Sequence, residues 1–304
     1  MKRYFMFWWI LFIVAVLFVN ACEPSLTPSA TTTTVVIATS APIPTSTVPT
    51  GTTAPPNTCT AVSGPGDRTS ALQSLLATCQ SIVIDSPLRV DGQILVPSGR
   101  TITWTSNGQF YRDTQAGNGI TLSFLQIESN DVTLNNVQLR GPNPKKTFTP
   151  GALPVCGYYT ALEHQHGITF HGAKRAKVNG GRISNLHGDG IYIDLQSEDV
   201  TLNNLTVDCV GRTAVTNLGS KRTRINGGTF TTTVWWIFNI ELQGETVTDY
   251  YIDRPNVGYS RLEFLLANCP YGGSYSGVVI NKPVFLPGAN PIWKSTCGDL
   301  RVVL

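Results

Sequence analysis

Val178-Asn179-Gly180-Gly181, Leu202-Asn203-Asn204-Leu205 and Ile225-Asn226-Gly227-Gly228 repeat one phrase: an apolar residue, Asn, then one or two small or polar residues. The phrase extends outward to Leu134-Asn135-Asn136-Val137 and to Ile280-Asn281-Lys282-Pro283, and Ile252-Asp253-Arg254-Pro255 fits with Asp in the Asn slot. Neighbouring copies stand roughly one or two multiples of 22–28 residues apart, the interval of a solenoid. A second register runs with it: Gly167-Ile168-Thr169-Phe170, Gly190-Ile191-Tyr192-Ile193, Ala214-Val215-Thr216-Asn217 and Trp236-Ile237-Phe238-Asn239. Two strand-like phrases per period, each opening at a turn, predict an all-β coil of parallel strands rather than a sandwich. Asn suits the turn because it tolerates left-handed backbone. Stacked in successive coils, Asn side chains hydrogen-bond up and down as a ladder, a structural role.

Composition agrees with stacked strands. Charged residues make up 13% of the 304, about half the usual share, and Thr, Ser, Asn and Gly carry the polarity. The net charge is +3. Lys145-Lys146 and Lys174-Arg175 are too short to serve nucleic acid and read as solvated loops.

The N-terminus reads as an export signal over residues 1–21. Lys2 and Arg3 precede an apolar stretch from Tyr4 to Val19, short for a bilayer span and right for a signal core. Val19-Asn20-Ala21-Cys22 resembles the lipobox of bacterial lipoproteins. That resemblance implies lipidation at Cys22 and a membrane contact through the lipid anchor alone. Residues 22–58, almost wholly Thr, Pro, Ser, Ala and Val beyond Cys22 and Glu23, cannot bury enough apolar surface to order themselves and read as an extended tether. The folded domain is expected over 59–304, outside the cytoplasm, whether anchored at a cell surface or periplasmic membrane or secreted.

Six cysteines remain: Cys59, Cys79, Cys156, Cys209, Cys269 and Cys297. An even number in an exported chain points to disulfides, and six allow 15 connectivities. The pairing expected is Cys59–Cys79, Cys156–Cys209 and Cys269–Cys297, each joining neighbours along a coil axis. No Cys-x-x-Cys pair suggests zinc.

Thr69, as N-cap, and Leu72, Leu75 and Leu76 predict one short amphipathic helix, roughly Ser70 to Thr78, closing the open end of the solenoid. Strands then begin at Ile82-Val83-Ile84, Leu88 to Val90, Ile94 to Val96 and Thr101 to Trp104. Gly141 to Glu163 interrupts the repeat and reads as a long side loop. Asn256 to Gly277, with Cys269-Pro270-Tyr271-Gly272-Gly273, reads as a second, smaller insertion.

Gly66-Asp67-Arg68-Thr69-Ser70-Ala71-Leu72-Gln73 resembles the capping-helix opening of right-handed, single-stranded parallel β-helix proteins of the pectate-lyase-like superfamily, and the repeats from Val132 to Phe285 resemble its coils. The resemblance implies that fold, and a prior toward polysaccharide. Within the superfamily the closest local similarity is to polygalacturonases, the family 28 glycoside hydrolases, whose catalytic face carries Asn-Thr-Asp, Asp-Asp, Gly-His-Gly and Arg-Ile-Lys, one motif per coil. Here His164-Gln165-His166 holds the first place, with His166 in the Asp slot. Gly188-Asp189 keeps one Asp of two, Arg212-Thr213-Ala214 replaces the His with Thr213, and no Arg-Ile-Lys occurs. Inverting hydrolysis needs two carboxyl groups ~6.5–9.5 Å apart, so one acid retained of three argues against polygalacturonase activity proper.

The densest cluster is His187-Gly188-Asp189-Gly190-Ile191-Tyr192-Ile193-Asp194. Strand alternation turns Ile191 and Ile193 inward and Tyr192 and Asp194 outward. One coil below, His164, His166 and His171 fall opposite His187, Asp189 and Asp194; one coil above, Asp208 and Arg212 approach the same edge, and Glu241 follows. The chain has four His, and all lie in this stripe. As an acid/base patch, its catalytic candidates are Asp189, His166, His187, Arg212, Asp194 and Asp208. Tyr192, His164, His171, Glu241 and the aromatic pair Trp235 and Trp236 are substrate-binding candidates. Arg212 or a bound Ca²⁺ would neutralise a uronate carboxylate; a His/Asp metal cluster is the lesser alternative.

Two functions fit. The first is lyase or hydrolase action on an acidic or pectin-like polysaccharide at the 164–212 stripe. The second is a non-catalytic carbohydrate-binding or adhesin-like module of the same shape. They differ in geometry: His166, Asp189 and Arg212 lining a groove walled by the 141–163 loop would favour catalysis, and the same residues buried in turn hydrogen bonds would favour binding. Oligomeric state is open at this level.

Overall fold

The computed structural model describes residues 57–61, 63–113, 122–145 and 155–304. The signal, Cys22 and nearly all of the tether lie outside them, as do residues 146–154 of the side loop. Contacts divide the chain after Thr53, and every described residue belongs to the unit Ala54–Leu304.

Every strand pairing among the described residues is parallel, and three sheets run along the coil. In the 16-stranded sheet one path stacks ten strands, so the chain is a parallel β-solenoid of about ten turns. Each full turn enters this large sheet by a first arm such as Thr201–Asn203, bends, and continues in a second arm such as Thr206–Val210. A turn then leads into the eight-stranded sheet, here Val215–Asn217, and on to a four-stranded sheet of short strands such as Ser220–Lys221.

The apolar phrases become vertical columns. Ile82, Ile102, Leu134, Val178, Leu202, Ile225, Ile252 and Ile280 are successive register partners in the first arm, all buried. Ile94, Leu125, Ile168, Ile191, Val215, Phe238 and Leu265 form the matching column of the eight-stranded sheet. Each turn buries its inward residues against the turns above and below.

The Asn ladder forms. Asn179 Nδ2 donates to Asn135 Oδ1 at 2.9 Å, Asn203 to Asn179 at 2.9 Å and Asn226 to Asn203 at 2.8 Å. The left-handed backbone, however, falls one residue later, at Asn136, Gly180, Asn204, Gly227, Arg254 and Lys282. The bend is therefore made by the residue after the ladder position; Asn203, Asn226 and Asn281 end their strands, whereas Thr133–Arg140 and Lys177–Leu186 run on through Asn135 and Asn179.

Three local expectations change. The helix α1, Thr69–Thr78, buries Leu72 and Leu76, but Thr69 is its first residue and not its cap. Asp67 Oδ1 instead accepts the Thr69 N–H at 3.0 Å and its hydroxyl at 2.6 Å. Residues 256–277 are no insertion: Asn256–Val257, Leu265–Asn268 and Ser274–Ser276 add a strand to each sheet. The Cys-Pro-Tyr-Gly-Gly run is a connection between two of them. Finally, Phe238 pairs with Val215, which puts Ile237, not Trp236, opposite Ala214; a slip of one residue exchanges inside for outside.

All three expected disulfides are present: Cys59–Cys79, Cys156–Cys209 and Cys269–Cys297.

Candidate functional site

The turns entering the eight-stranded sheet stack His166, Asp189 and Thr213 just before their strands, as the registers of Ile168, Ile191 and Val215 require. The stacking is tight. A Cβ on Gly188 would lie 2.4 Å from the Glu163 carbonyl oxygen and 2.9 Å from His166 Nδ1, so glycine alone lets the two turns approach.

Asp189 is fully buried. Its Oδ1 accepts the Thr213 N–H at 2.9 Å and lies 3.8 Å from Arg212 Nε. Burial pushes its pKa up to about 6, against the pull of Arg212 and the Thr213 hydrogen bond. His166 is also buried, and its Nδ1 accepts the Asp189 backbone N–H at 3.0 Å. That bond uses the Nδ1 lone pair, so the neutral ring carries its proton on Nε2. Burial, then Arg212 and His164, hold its pKa well below 6.5. The 3.5 Å separation of His166 Nδ1 from Asp189 Oδ2 is therefore a contact of a neutral imidazole, not an ion pair. Tyr192 stacks on the His166 ring, centroids 4.5 Å apart and planes 12° apart, and burial followed by Asp189 and Asp194 raises its pKa.

Arg212 links this buried pair to the surface. Beyond Asp189, its Nη2 lies 4.0 Å from Glu241 Oε2, and its guanidinium sits 5.0 Å from the Trp235 ring centre. Burial lowers its pKa, but Asp189, Glu163 and Glu241 outweigh that, leaving it raised. Trp235 lies 4.8 Å from the ring of Tyr158, whose hydroxyl donates to Glu163 Oε2 at 2.7 Å. Glu241 Oε2 also accepts from Asn239 Nδ2 at 3.1 Å. An open pocket of about 430 Å³ adjoins, lined by Tyr158, Trp235, Val155, Val234, Arg261 and Leu262 together with Cys156. The loop is held here by the Cys156–Cys209 bridge and by buried Asn143, which donates to the carbonyls of Gly157 and Leu186 at 2.7 and 2.8 Å.

The other candidates stand elsewhere. Asp194 pairs with His171 at 3.0 Å at the far end of the strand Ile191–Asp194, its pKa raised by burial against the pull of His171. Asp208 belongs to the large sheet, where Arg182 holds it at 2.5 Å and Lys145 at 2.9 Å. His187 is buried edge-on against Tyr159 at 5.4 Å. His164 is exposed and 3.7 Å from Glu163. Trp236 donates from its indole to Glu263 at 3.0 Å. Neither Trp lies in a strand: both precede Phe238–Glu241 and are half-buried, so strand alternation does not govern them. Sequence reading missed Glu163 and Tyr158, which lie within the side loop; the step from Glu163 to His164 was the available signal. Among the described residues no three His, Cys, Asp or Glu side chains converge as a metal ion requires.

No protein-family model and no curated protein matches the chain. Solved structures do. The Dettilon tailspike protein superposes with a TM-score of 0.50 at 13% identity, over 81% of this chain and 59% of that one. The cedar pollen allergen jun a 1 gives 0.39 at 14%, over 81% and 76%, and the Streptococcus pneumoniae surface protein and adhesin PfbA gives 0.41 at 12%, over 79% and 86%. The chain thus spans about three-fifths of the tailspike's length. At 13% identity the likeness to the tailspike, the one of these three with a TM-score of 0.50, concerns fold alone.

Proposed function

We propose that the chain is a glycan-binding surface module, exported and held away from a membrane by a lipidated Cys22 and the residue 22–58 tether, with α1 closing one end of the solenoid. One observation carries this reading: Tyr158 and Trp235 pack at 4.8 Å beside Arg212, with the half-buried carboxylates Glu163 and Glu241 around them. Aromatic faces offer flat apolar area to a sugar ring, and the flanking carboxylates accept its hydroxyl hydrogen bonds. Rungs about 4.8 Å apart also suit a chain ligand lying along the axis, which meets similar groups at each step. Three disulfides fit an oxidising compartment.

Burial favours binding over catalysis. Asp189 and His166 are engaged by turn amides and hidden from solvent, so neither touches a ligand without the turn opening. The test is retention of the purified chain on a panel of immobilised polysaccharides. Trp235→Ala should weaken retention roughly fivefold or more, the scale of a lost aromatic contact. Unchanged retention in that variant would overturn the assignment.

A second reading, hydrolase or lyase action, draws on the Asp189 carboxyl, whose pKa of about 6 suits a general acid. It predicts new reducing ends or unsaturated-uronate absorbance from one panel member, abolished by Asp189→Asn. Retention without product on every substrate tells against it.

A further inference from the structure

The two long faces of the solenoid differ in charge. In the eight-stranded sheet, Leu125–Ile127, Ile168–His171, Ile191–Asp194, Val215–Asn217, Phe238–Glu241 and Leu265–Asn268 contain no Lys or Arg; Lys294, in the end strand Trp293–Ser295, is the sheet's one Lys or Arg among the described strands, and Glu263 pairs with it. Their outward positions hold Asp194 and Glu241, with Glu128 directly after the first of them, and Glu163 and Asp189 stand at the entering turns. Arg212, already within 4.0 Å of both Asp189 and Glu241, and the exposed Arg261 on the pocket wall stand beside the aromatic pair. More of the basic residues lie in the large sheet and its corner, as Lys177, Arg182 and Arg224 in the strands and as Arg175 and Arg222 beside them. The net charge of +3 thus conceals an acidic face on which the aromatic platform stands.

From this segregation, and resting on the glycan-binding reading above, we infer that the face selects a neutral glycan and rejects polyuronates. A polyuronate laid along these rungs would bring a carboxylate to Glu128, Asp194 and Glu241 in turn, with no Lys or Arg in the six strands named above to meet it and the exposed Arg261 standing only at the pocket beside Trp235. Like charges set opposite each other cost enough to exclude a partner. A neutral chain meets the same carboxylates as hydrogen-bond acceptors for its hydroxyls, and the aromatic faces are indifferent to charge. The sequence-based expectation of an acidic polysaccharide rested on Arg212 as an available counter-charge, and Arg212 is engaged within the fold.

The test compares the full chain with Trp235→Ala on immobilised galactomannan, xyloglucan and mixed-linkage glucan as neutral probes, and polygalacturonate and alginate as acidic ones. Only retention lost in Trp235→Ala is scored as binding at this face. At low salt the scored binding to the best neutral probe should exceed that to either polyuronate by roughly tenfold or more. The gap should narrow at about 0.5 M salt, where the Debye length is about 4 Å. Asp194→Lys should raise polyuronate retention relative to the neutral probe several-fold. Scored binding of a polyuronate as strong as that of every neutral probe overturns the inference while leaving glycan binding intact. So does an unchanged ratio in Asp194→Lys. No scored binding to any probe sinks the glycan-binding reading itself, and the inference with it.

Discussion

His166 Nδ1 accepts the backbone N–H of Asp189 at 3.0 Å across two successive rungs. This bond makes the imidazole a staple between turns 23 residues apart, and it withdraws from chemistry the nitrogen that a general base would use. With Tyr192 stacked on its face, His166 serves the architecture that holds Arg212 and Trp235 at the surface.

His166 should therefore remain neutral across the ordinary histidine range. In a pH titration followed by ¹⁵N–¹H NMR, its Nδ1 should keep the shift of an unprotonated acceptor and its Nε2 that of a donor from about pH 8 to 5. A midpoint near 6.5 would contradict the depressed value that burial imposes. Because the folded pKa lies below the unfolded one, the group's contribution to stability is full above 6.5 and is lost as pH falls toward the folded value.

Asp189 gives the opposite slope. Its folded pKa, about 6, exceeds the ordinary 3.8, so its contribution is full below 3.8 and is lost as pH rises through about 6. The difference corresponds to roughly 3 kcal/mol when complete. Asp189→Asn still offers an oxygen to the Thr213 N–H but cannot ionise. Its stability relative to the parent should rise with pH across that window, as read from calorimetric melts. Parallel pH profiles for the two proteins would show that the carboxyl titrates normally.

The Cys156–Cys209 bridge spans 53 residues and fixes the loop that presents Tyr158. Replacing both cysteines with Ala should cost about 2–5 kcal/mol in denaturant midpoint and reduce glycan retention at temperatures where the solenoid is still folded. Retention at the parent level below the melting point would mean that the bridge does not position the aromatic platform.

The ladder changes polarity at Asp253. Asn281 Nδ2 donates to its Oδ1 at 2.7 Å, but a carboxylate has no proton to pass down to Asn226, its register partner. Asp253→Asn supplies that donor, keeps an oxygen for Asn281, and loses the charge that Arg254 and Lys282 attract. The variant should melt no lower than the parent and gain up to about 1 kcal/mol. A marked loss would indicate that the carboxylate is needed at that rung.

Much of the architecture was legible because a solenoid turns sequence period into vertical contact. Ile191 pairs with Ile168 and Asp194 with His171, as the step of about two dozen residues implied, and the expected cysteine pairing, one of 15 that the sequence leaves open, is the one present. The Trp236 phrase was read one residue out of register because its turn carries bulky aromatics where the others carry Gly or Ala. The rung at 256–277 was hidden because Pro and Gly at a connection look like an insertion. Thr69 looked like a cap because a hydroxyl before an apolar run usually is one, yet the carboxylate of Asp67 reaches the same amide.

By itself, then, the sequence determined the coil, its inward columns, its Asn ladder and the stacking of Asp189 over His166 and of Asp194 over His171. These depend on period and side-chain alternation, which repeat from turn to turn. Only the tertiary structure decided that Asp189 and His166 are buried, that Asp208 faces Arg182 and Lys145 on another sheet, and that Glu163 and Tyr158 reach the site. Exposure at a turn depends on which backbone amides and loop residues settle over it. Those come from chain segments that obey no period.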